Sequence, residues 1–181
     1  MCGIAGIIGN RRVNSDAVEH MNLLQEHRGP DDSGVWKSTE GNIVFGHQRL
    51  SIIDTSSAGH QPMEIDSHVI TFNGEIYNYL EIGAELKAAG VELETSSDTE
   101  VLLKAYQTWG DEAIVKLNGM FAFAIYDANQ HRLFCARDRF GEKPFLFHSS
   151  DECFAFASEY KALLALNNID SAYDQDRILR F

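Results

Sequence analysis

Hydrophobic positions along the chain change period several times, and each change predicts an element. Residues 3–9 place Ile4, Ala5, Ile7 and Ile8 between Gly3, Gly6 and Gly9, a strand thinned by glycines as close backbone approach requires. Residues 16–25 carry Val18, Met21 and Leu24 at helical spacing, opened by an Asp16-x-x-Glu19 pair like a capping box. A polar loop follows, His27-Arg28-Gly29-Pro30-Asp31-Asp32, with turn signals at its Gly-Pro and Pro-Asp steps. Residues 34–37 and 43–47 read as paired strands around Thr39-Glu40-Gly41-Asn42. Residues 69–72 form a short strand that the Asn73-Gly74 dipeptide is expected to end in a tight turn.

Two amphipathic helices come next. In residues 77–89, Tyr79, Ile82, Leu86 and Ala89 face one core, and Gly90 is placed as the stop. The second starts at Ser97, where Ser97-x-x-Glu100 makes a capping box, presents Leu102, Ala105, Tyr106 and Trp109, and ends at Gly110. From Gly119 the pattern returns to strands at 120–127, 133–136, 145–148 and 153–157, joined by short polar turns. Such turns enforce antiparallel pairing, because a parallel crossover needs a dozen or more residues. The expected class is α+β, with stacked antiparallel sheets flanked by helices and the last four strands forming a meander. Residues 175–181 read as helix-like, the start of something beyond the chain.

Composition narrows the function. The 181 residues are 44% hydrophobic and 23% charged, ordinary globular usage, and one domain's worth of chain. With 15 basic against 27 acidic residues the net charge is −12, and no cluster of Lys and Arg offers the cationic face a nucleic-acid site requires. The longest apolar run, Met120 to Tyr126, falls well short of the roughly 18 residues of a membrane helix, so no membrane role is expected. Arg11 and Arg12 follow the apolar stretch at 4–8 instead of preceding it, unlike a signal peptide. Cys2, Cys135 and Cys153 make an odd count without a CxxC pair, which argues against a disulfide framework or zinc ribbon and makes a reducing cytoplasm the default compartment. The seven histidines show no ligand spacing, and no metal site is expected. Gly3, Gly6 and Gly9 match neither a dinucleotide fingerprint nor a phosphate loop.

The candidate chemistry begins at Cys2. A small residue after the initiator permits removal of Met1, leaving a cysteine that carries both a thiol and a free α-amine. An α-amine with a pKa near 8 is partly unprotonated at neutral pH and can take the thiol proton itself, so nucleophile and base share one residue. An incidental cysteine at a translation start is the competing reading. Asn73-Gly74 could supply a side-chain amide and a backbone N–H to an oxyanion, or it could be a plain hairpin turn. Arg49, just past a strand end, suits a carboxylate or a structural ion pair. Asp98, at the first turn of a helix, reads as a helix cap. A Cys/His pair with His47 or His60, as in a cysteine peptidase, is a further arrangement to test.

Taken together, several stretches resemble the class II glutamine amidotransferase domain of glutamine-dependent asparagine synthetases. They are Met1-Cys2-Gly3-Ile4-Ala5-Gly6, Arg28-Gly29-Pro30-Asp31-Asp32, Gly46-His47-Gln48-Arg49-Leu50-Ser51-Ile52-Ile53-Asp54, and Phe72-Asn73-Gly74-Glu75-Ile76-Tyr77-Asn78. Ser97-Asp98-Thr99-Glu100, Ala136-Arg137-Asp138-Arg139-Phe140-Gly141-Glu142-Lys143-Pro144 and Phe156-Ala157-Ser158-Glu159 extend the likeness to about residue 166.

The resemblance implies a four-layer αββα N-terminal-nucleophile hydrolase fold with two antiparallel sheets. It implies that Cys2 attacks the side-chain amide of glutamine and releases ammonia through a glutamyl thioester, with Asn73 and the Gly74 N–H holding the oxyanion. Arg49 would bind the substrate α-carboxylate, Glu75 and Asp98 its ammonium, and the backbone of Ile52 and Ile53 would line the pocket. Residues 1–169 would be the amidotransferase domain and 170–181 the start of a link to a C-terminal synthetase domain that receives the ammonia. No cofactor is implied for this chain, whereas ATP and Mg are expected for that synthetase domain. A homodimer is left open, and the alternative is a non-catalytic glutamine-sensing or interaction domain of the same fold.

Overall fold

The computed structural model describes residues 1–52, 56–167 and 169. Among these residues, nine strands fall into two antiparallel sheets. The first has the order β2-β3-β1-β9-β8 and is built from β1 (Gly3–Gly9), β2 (Asp32–Lys37), β3 (Ile43–Arg49), β8 (Leu146–Ser149) and β9 (Cys153–Ala157). The second, β4-β5-β6-β7, comprises β4 (Met63–Ile65), β5 (His68–Ile76), β6 (Gly119–Asp127) and β7 (Arg132–Arg137).

The two-residue alternation of strand side chains turns these sheets into four layers. On β6, Phe121, Phe123 and Ile125 join a core with Leu86 of α2 (Tyr79–Ala88) and Leu102 and Leu103 of α3 (Asp98–Trp109). The intervening Ala122, Ala124 and Tyr126 face the first sheet and pack with Ile4, Phe45 and Phe156. On the far side of that sheet, Ala5, Ile7 and Val44 meet Val18 and Met21 of α1 (Ser15–Leu24) and Ala162 and Leu163 of α5 (Tyr160–Leu164). The layers are therefore helix, sheet, sheet, helix, the expected αββα sandwich. Each buried large apolar side chain in these three cores contributes about 1.5–3 kcal/mol. Gly6 must be glycine, because a Cβ there would overlap the Phe156 ring that fills the space between the sheets.

Several expectations are corrected by the fold. Asn73-Gly74 does not turn: β5 runs through both residues to Ile76, since Phe121 and Ala122 of β6 lie opposite and continue the ladder. The last four strands are not one meander, because β6 and β7 pair in one sheet and β8 and β9 in the other. Helix α1 is capped by Asn14, whose side chain accepts the Asp16 N–H, and not by an Asp16–Glu19 box. Ser97 caps α3 as expected, accepting the Thr99 N–H. Glu100 instead turns to the preceding loop and accepts the N–H groups of Glu94 and Thr95 at 2.7 and 2.6 Å. Strand β4, helix α5 and the one-turn α4 (Ala113–Lys116) were not read from the sequence because they are too short to show a period. Residues 175–181 lie outside the described residues.

Candidate active site

Alternation also decides what gathers at one end of the sandwich. On β3, Ile43 and Phe45 face the space between the sheets, so His47 and Arg49 follow them on that side. On β5, Val69 faces the same space, and Thr71 reaches across it to donate to the Gly46 carbonyl at 3.0 Å. Asn73 and Glu75 continue that face. Cys2, two residues before Ile4, does likewise from the start of β1. The result is a cavity of about 280 Å³ whose lining includes Cys2, Arg49, Ile52, Asn73, Gly74, Glu75 and Asp98. Every site residue expected from the sequence lies on this cavity except Ile53, which is outside the described residues.

The thiol of Cys2 is held by the Leu50 backbone, with Sγ 3.4 Å from the amide nitrogen and 3.7 Å from the carbonyl oxygen. Burial pushes the thiol pKa up, while the Leu50 N–H, the N-terminal ammonium and the Arg49 guanidinium oppose that rise. The Met1 ammonium is shifted the other way, lowered by burial and by the positive charges of Arg28 and Lys143.

Asn73 is 1% exposed, and its Nδ2 has no hydrogen-bond partner. A buried amide donor left open on a cavity wall carries a desolvation penalty that only a ligand or water can relieve. Gly74 adds a backbone donor for a reason visible in the ladder. Phe121, directly opposite, sends both its N–H and its carbonyl to Asp138, so the Gly74–Phe121 pair exchanges no hydrogen bonds. The Gly74 N–H therefore points away from β6, at a level β4 does not reach, since β4 pairs only with residues 68–70. A side chain at this position would overlap the Met120 carbonyl.

Arg49 is the last residue of β3, not beyond its end, and donates to the Ser56 carbonyl at 2.8 Å. Asp98 is not merely a cap. Its Oδ2 accepts the Ile76 N–H at 3.0 Å, and burial, with Glu75 adding to it, pushes its pKa up to about 6. Glu75 is half-buried on the same wall, and Ile52 is exposed at the rim. Neither histidine pairs with Cys2. His47 is fully buried, its Nε2 3.0 Å from the Phe72 carbonyl oxygen and its pKa lowered by burial to about 4, and His60 pairs with Asp32 at 2.7 Å.

Three further residues shape the site. Arg28 donates through Nε to the Cys2 carbonyl at 2.9 Å and pairs with Glu159 at 3.1 Å, anchoring the N-terminus. Gln61 accepts the Phe72 N–H at 2.7 Å and donates to the Thr99 hydroxyl at 3.2 Å, tying the neighbours of Asn73 and Asp98 together. Lys143 also lines the cavity. The stretches holding Arg28 and Lys143, Arg-Gly-Pro and Glu-Lys-Pro, were legible, but nothing in the spacing marked which member would face a cavity, and Gln61 fell in no stretch read from the sequence. No group of three or more His, Cys, Asp and Glu side chains suited to a metal ion occurs among the described residues. No helix there is long and apolar enough to cross a membrane.

The four-layer αββα sandwich, with a cysteine at the head of an inner strand, is the fold that the resemblance implies. A family model for the glutamine amidotransferase domain matches residues 1–181, and the chain belongs to that family. Glutamine-hydrolysing asparagine synthetase 3 of Bacillus subtilis is 41% identical over 182 residues, covering 97% of this chain and 29% of that protein. Asparagine synthetase B of Escherichia coli, also glutamine-hydrolysing, is 40% identical over 174 residues, covering 91% and 30%. The chain thus spans about a third of the length of the curated relatives it matches. Among solved structures, the glutamine phosphoribosylpyrophosphate amidotransferase of B. subtilis superimposes with a TM-score of 0.78 at 21% identity, covering 91% of this chain and 43% of that one.

Proposed function

We propose that this chain is the glutaminase half of an asparagine synthetase-like amidotransferase. The observation that carries the reading is the convergence of the Cys2 thiol, the open Asn73 amide, the Gly74 N–H, Arg49 and Asp98 on one cavity. After removal of Met1 the α-amine of Cys2 takes the thiol proton, and the sulfur attacks the δ-carbonyl carbon of glutamine. The carbonyl oxygen becomes an oxyanion that Asn73 Nδ2 and the Gly74 N–H receive. Collapse of the tetrahedral intermediate breaks the carbon–nitrogen bond, the protonated amine returns its proton to the leaving nitrogen, and ammonia departs. Water then hydrolyses the thioester to glutamate. Arg49 pairs with the α-carboxylate, Glu75 and Asp98 with the α-ammonium, and the Ile52 rim covers the substrate.

Ammonia would pass to an ATP-dependent domain that amidates a carboxylate, and the relatives' names support aspartate as that acceptor. Incubation with a glutamine analogue bearing a thiol-reactive group at the δ position tests the site. A single adduct on the peptide that begins with Cys2, suppressed by excess glutamine, is expected. An adduct on Cys135 or Cys153 alone would refute it.

A further inference from the structure

Gln61 grips the backbone beside the oxyanion donors, yet the chemistry above does not use it. It is 5% exposed and lines the same cavity as Asn73, Gly74 and Asp98.

Its place follows from one edge of β5. Phe72, Gly74 and Ile76 lie opposite Phe123, Phe121 and Gly119 of β6, and with this shared parity they turn their N–H groups away from that strand. Strand β4 covers the edge only as far as Ile70, which pairs with Met63. Continued for two residues, that register would set the Gln61 backbone opposite Phe72. The backbone departs instead, and the Gln61 carbonyl packs so closely on Gly34 of β2 that a Cβ there would overlap it. The Gln61 side chain takes the ladder's place, its Oε1 accepting the Phe72 N–H at 2.7 Å. At the far end of the row, Asp98 Oδ2 accepts the Ile76 N–H at 3.0 Å. Two side chains thus finish the edge that β4 leaves bare, and the Gly74 N–H lies between them on the cavity.

The frame is closed on its other sides as well. Gln61 Nε2 donates to Thr99 Oγ1 at 3.2 Å, next to Asp98 at the start of α3. From the first sheet, His47 Nε2 donates to the Phe72 carbonyl at 3.0 Å. Phe72 is therefore held at its N–H and at its carbonyl, and Asn73 follows directly from it.

We propose that Gln61 is a positioning residue for the oxyanion site. It acts through β5, fixing the Phe72 backbone so that the Asn73 amide and the Gly74 N–H stay aimed at the oxyanion. Both ends of its own side-chain amide are engaged with the protein, Oε1 with Phe72 and Nε2 with Thr99. Its effect falls on the transition state, because the oxyanion forms only there. Substrate binding should be spared, since Asp98 keeps its own bond to Ile76. The proposal rests on the reading of Asn73 and Gly74 as oxyanion donors.

The test is kcat and KM for glutamine hydrolysis by chain freed of Met1, for the native protein, Gln61→Met, Asn73→Ala and the double variant. Methionine matches glutamine in length but offers Phe72 no oxygen and Thr99 no donor. In Gln61→Met, kcat is expected to fall about tenfold with KM within about twofold of native. In the Asn73→Ala background the same substitution should lower kcat by about threefold or less, because the amide it aims is already gone. A native kcat in Gln61→Met, a loss confined to KM, or an undiminished loss in the Asn73→Ala background would overturn the proposal. If Gln61→Met does not fold, Gln61→Asn, whose amide falls one methylene short of Phe72, carries the same comparison. Native turnover in Asn73→Ala would instead refute the reading of the oxyanion site itself.

Discussion

Asp98 and Ile76 are joined by one hydrogen bond, carboxylate Oδ2 to backbone N–H at 3.0 Å, which locks the first turn of α3 to the end of β5. That single contact places a carboxylate three residues from Asn73 in space set by the sheet. The same side chain is thus scaffold and candidate ammonium ligand, and the two roles pull in different directions.

Burial raises the Asp98 pKa to about 6 in the folded chain, above its ordinary 3.8. The folded state then binds a proton more tightly than the unfolded state between those values, so stability falls as pH rises from about 4 to 6 and is flat above. Asp98→Asn, which keeps an acceptor for Ile76, is expected to raise stability at pH 7 by about 2 kcal/mol while KM for glutamine rises at least tenfold. Urea unfolding and steady-state kinetics on one preparation check both signs. In the native chain, KM should rise as pH falls below 6.

Asn73 should separate catalysis from stability in the same way. Its Nδ2 is buried and open, so Asn73→Ala removes a donor that stabilises nothing in the free protein. The expected outcome is a kcat reduced by roughly 100-fold or more, with a melting temperature unchanged or higher. Calorimetry beside turnover measurements decides it.

Gly74→Ala should behave in the opposite manner. The added Cβ would overlap the Met120 carbonyl across the ladder, so β5 and β6 must part. A destabilisation of about 2 kcal/mol or more is expected together with loss of turnover, read from urea unfolding.

Asp138 gives a prediction for acid. Although burial works to raise its pKa, four backbone N–H groups prevail and hold it below the usual carboxylate range. A depressed folded pKa means stability that is fully present above the unfolded value, near 3.8, and lost progressively as pH falls from there through the lower folded value. Asp138→Ala is expected to cost about 2–3 kcal/mol at pH 7 and to weaken the steep loss of stability below pH 4. A pH series of urea midpoints checks this.

The sandwich was legible because period-two alternation survives in the long strands: Phe121, Phe123 and Ile125 against Ala122, Ala124 and Tyr126 declare two buried faces. The continuation of β5 through Asn73-Gly74 was not, since the dipeptide's turn preference is overridden by pairing with Phe121 and Ala122, which lie nearly fifty residues on. The same long-range pairing frees the Gly74 N–H, so the feature most often read as a turn is here a stretch of strand that carries an open donor. Arg28, Gln61 and Lys143 escaped for a related reason. Each acts through a backbone group or charge brought near by the fold, as Gln61 does with Phe72 and Thr99, and spacing along the chain records none of those neighbours. Asp98 does sit in the first turn of α3 as its position suggested, but its bond to the Ile76 N–H joins it to β5, a neighbour that spacing along the chain does not record.

The most direct test of the central claim is the release of glutamate and ammonia from glutamine by chain freed of Met1, measured beside Cys2→Ala and Cys2→Ser. Equimolar products from the native chain, with both variants folded and at background, are predicted. Native-like turnover in Cys2→Ala would contradict the account.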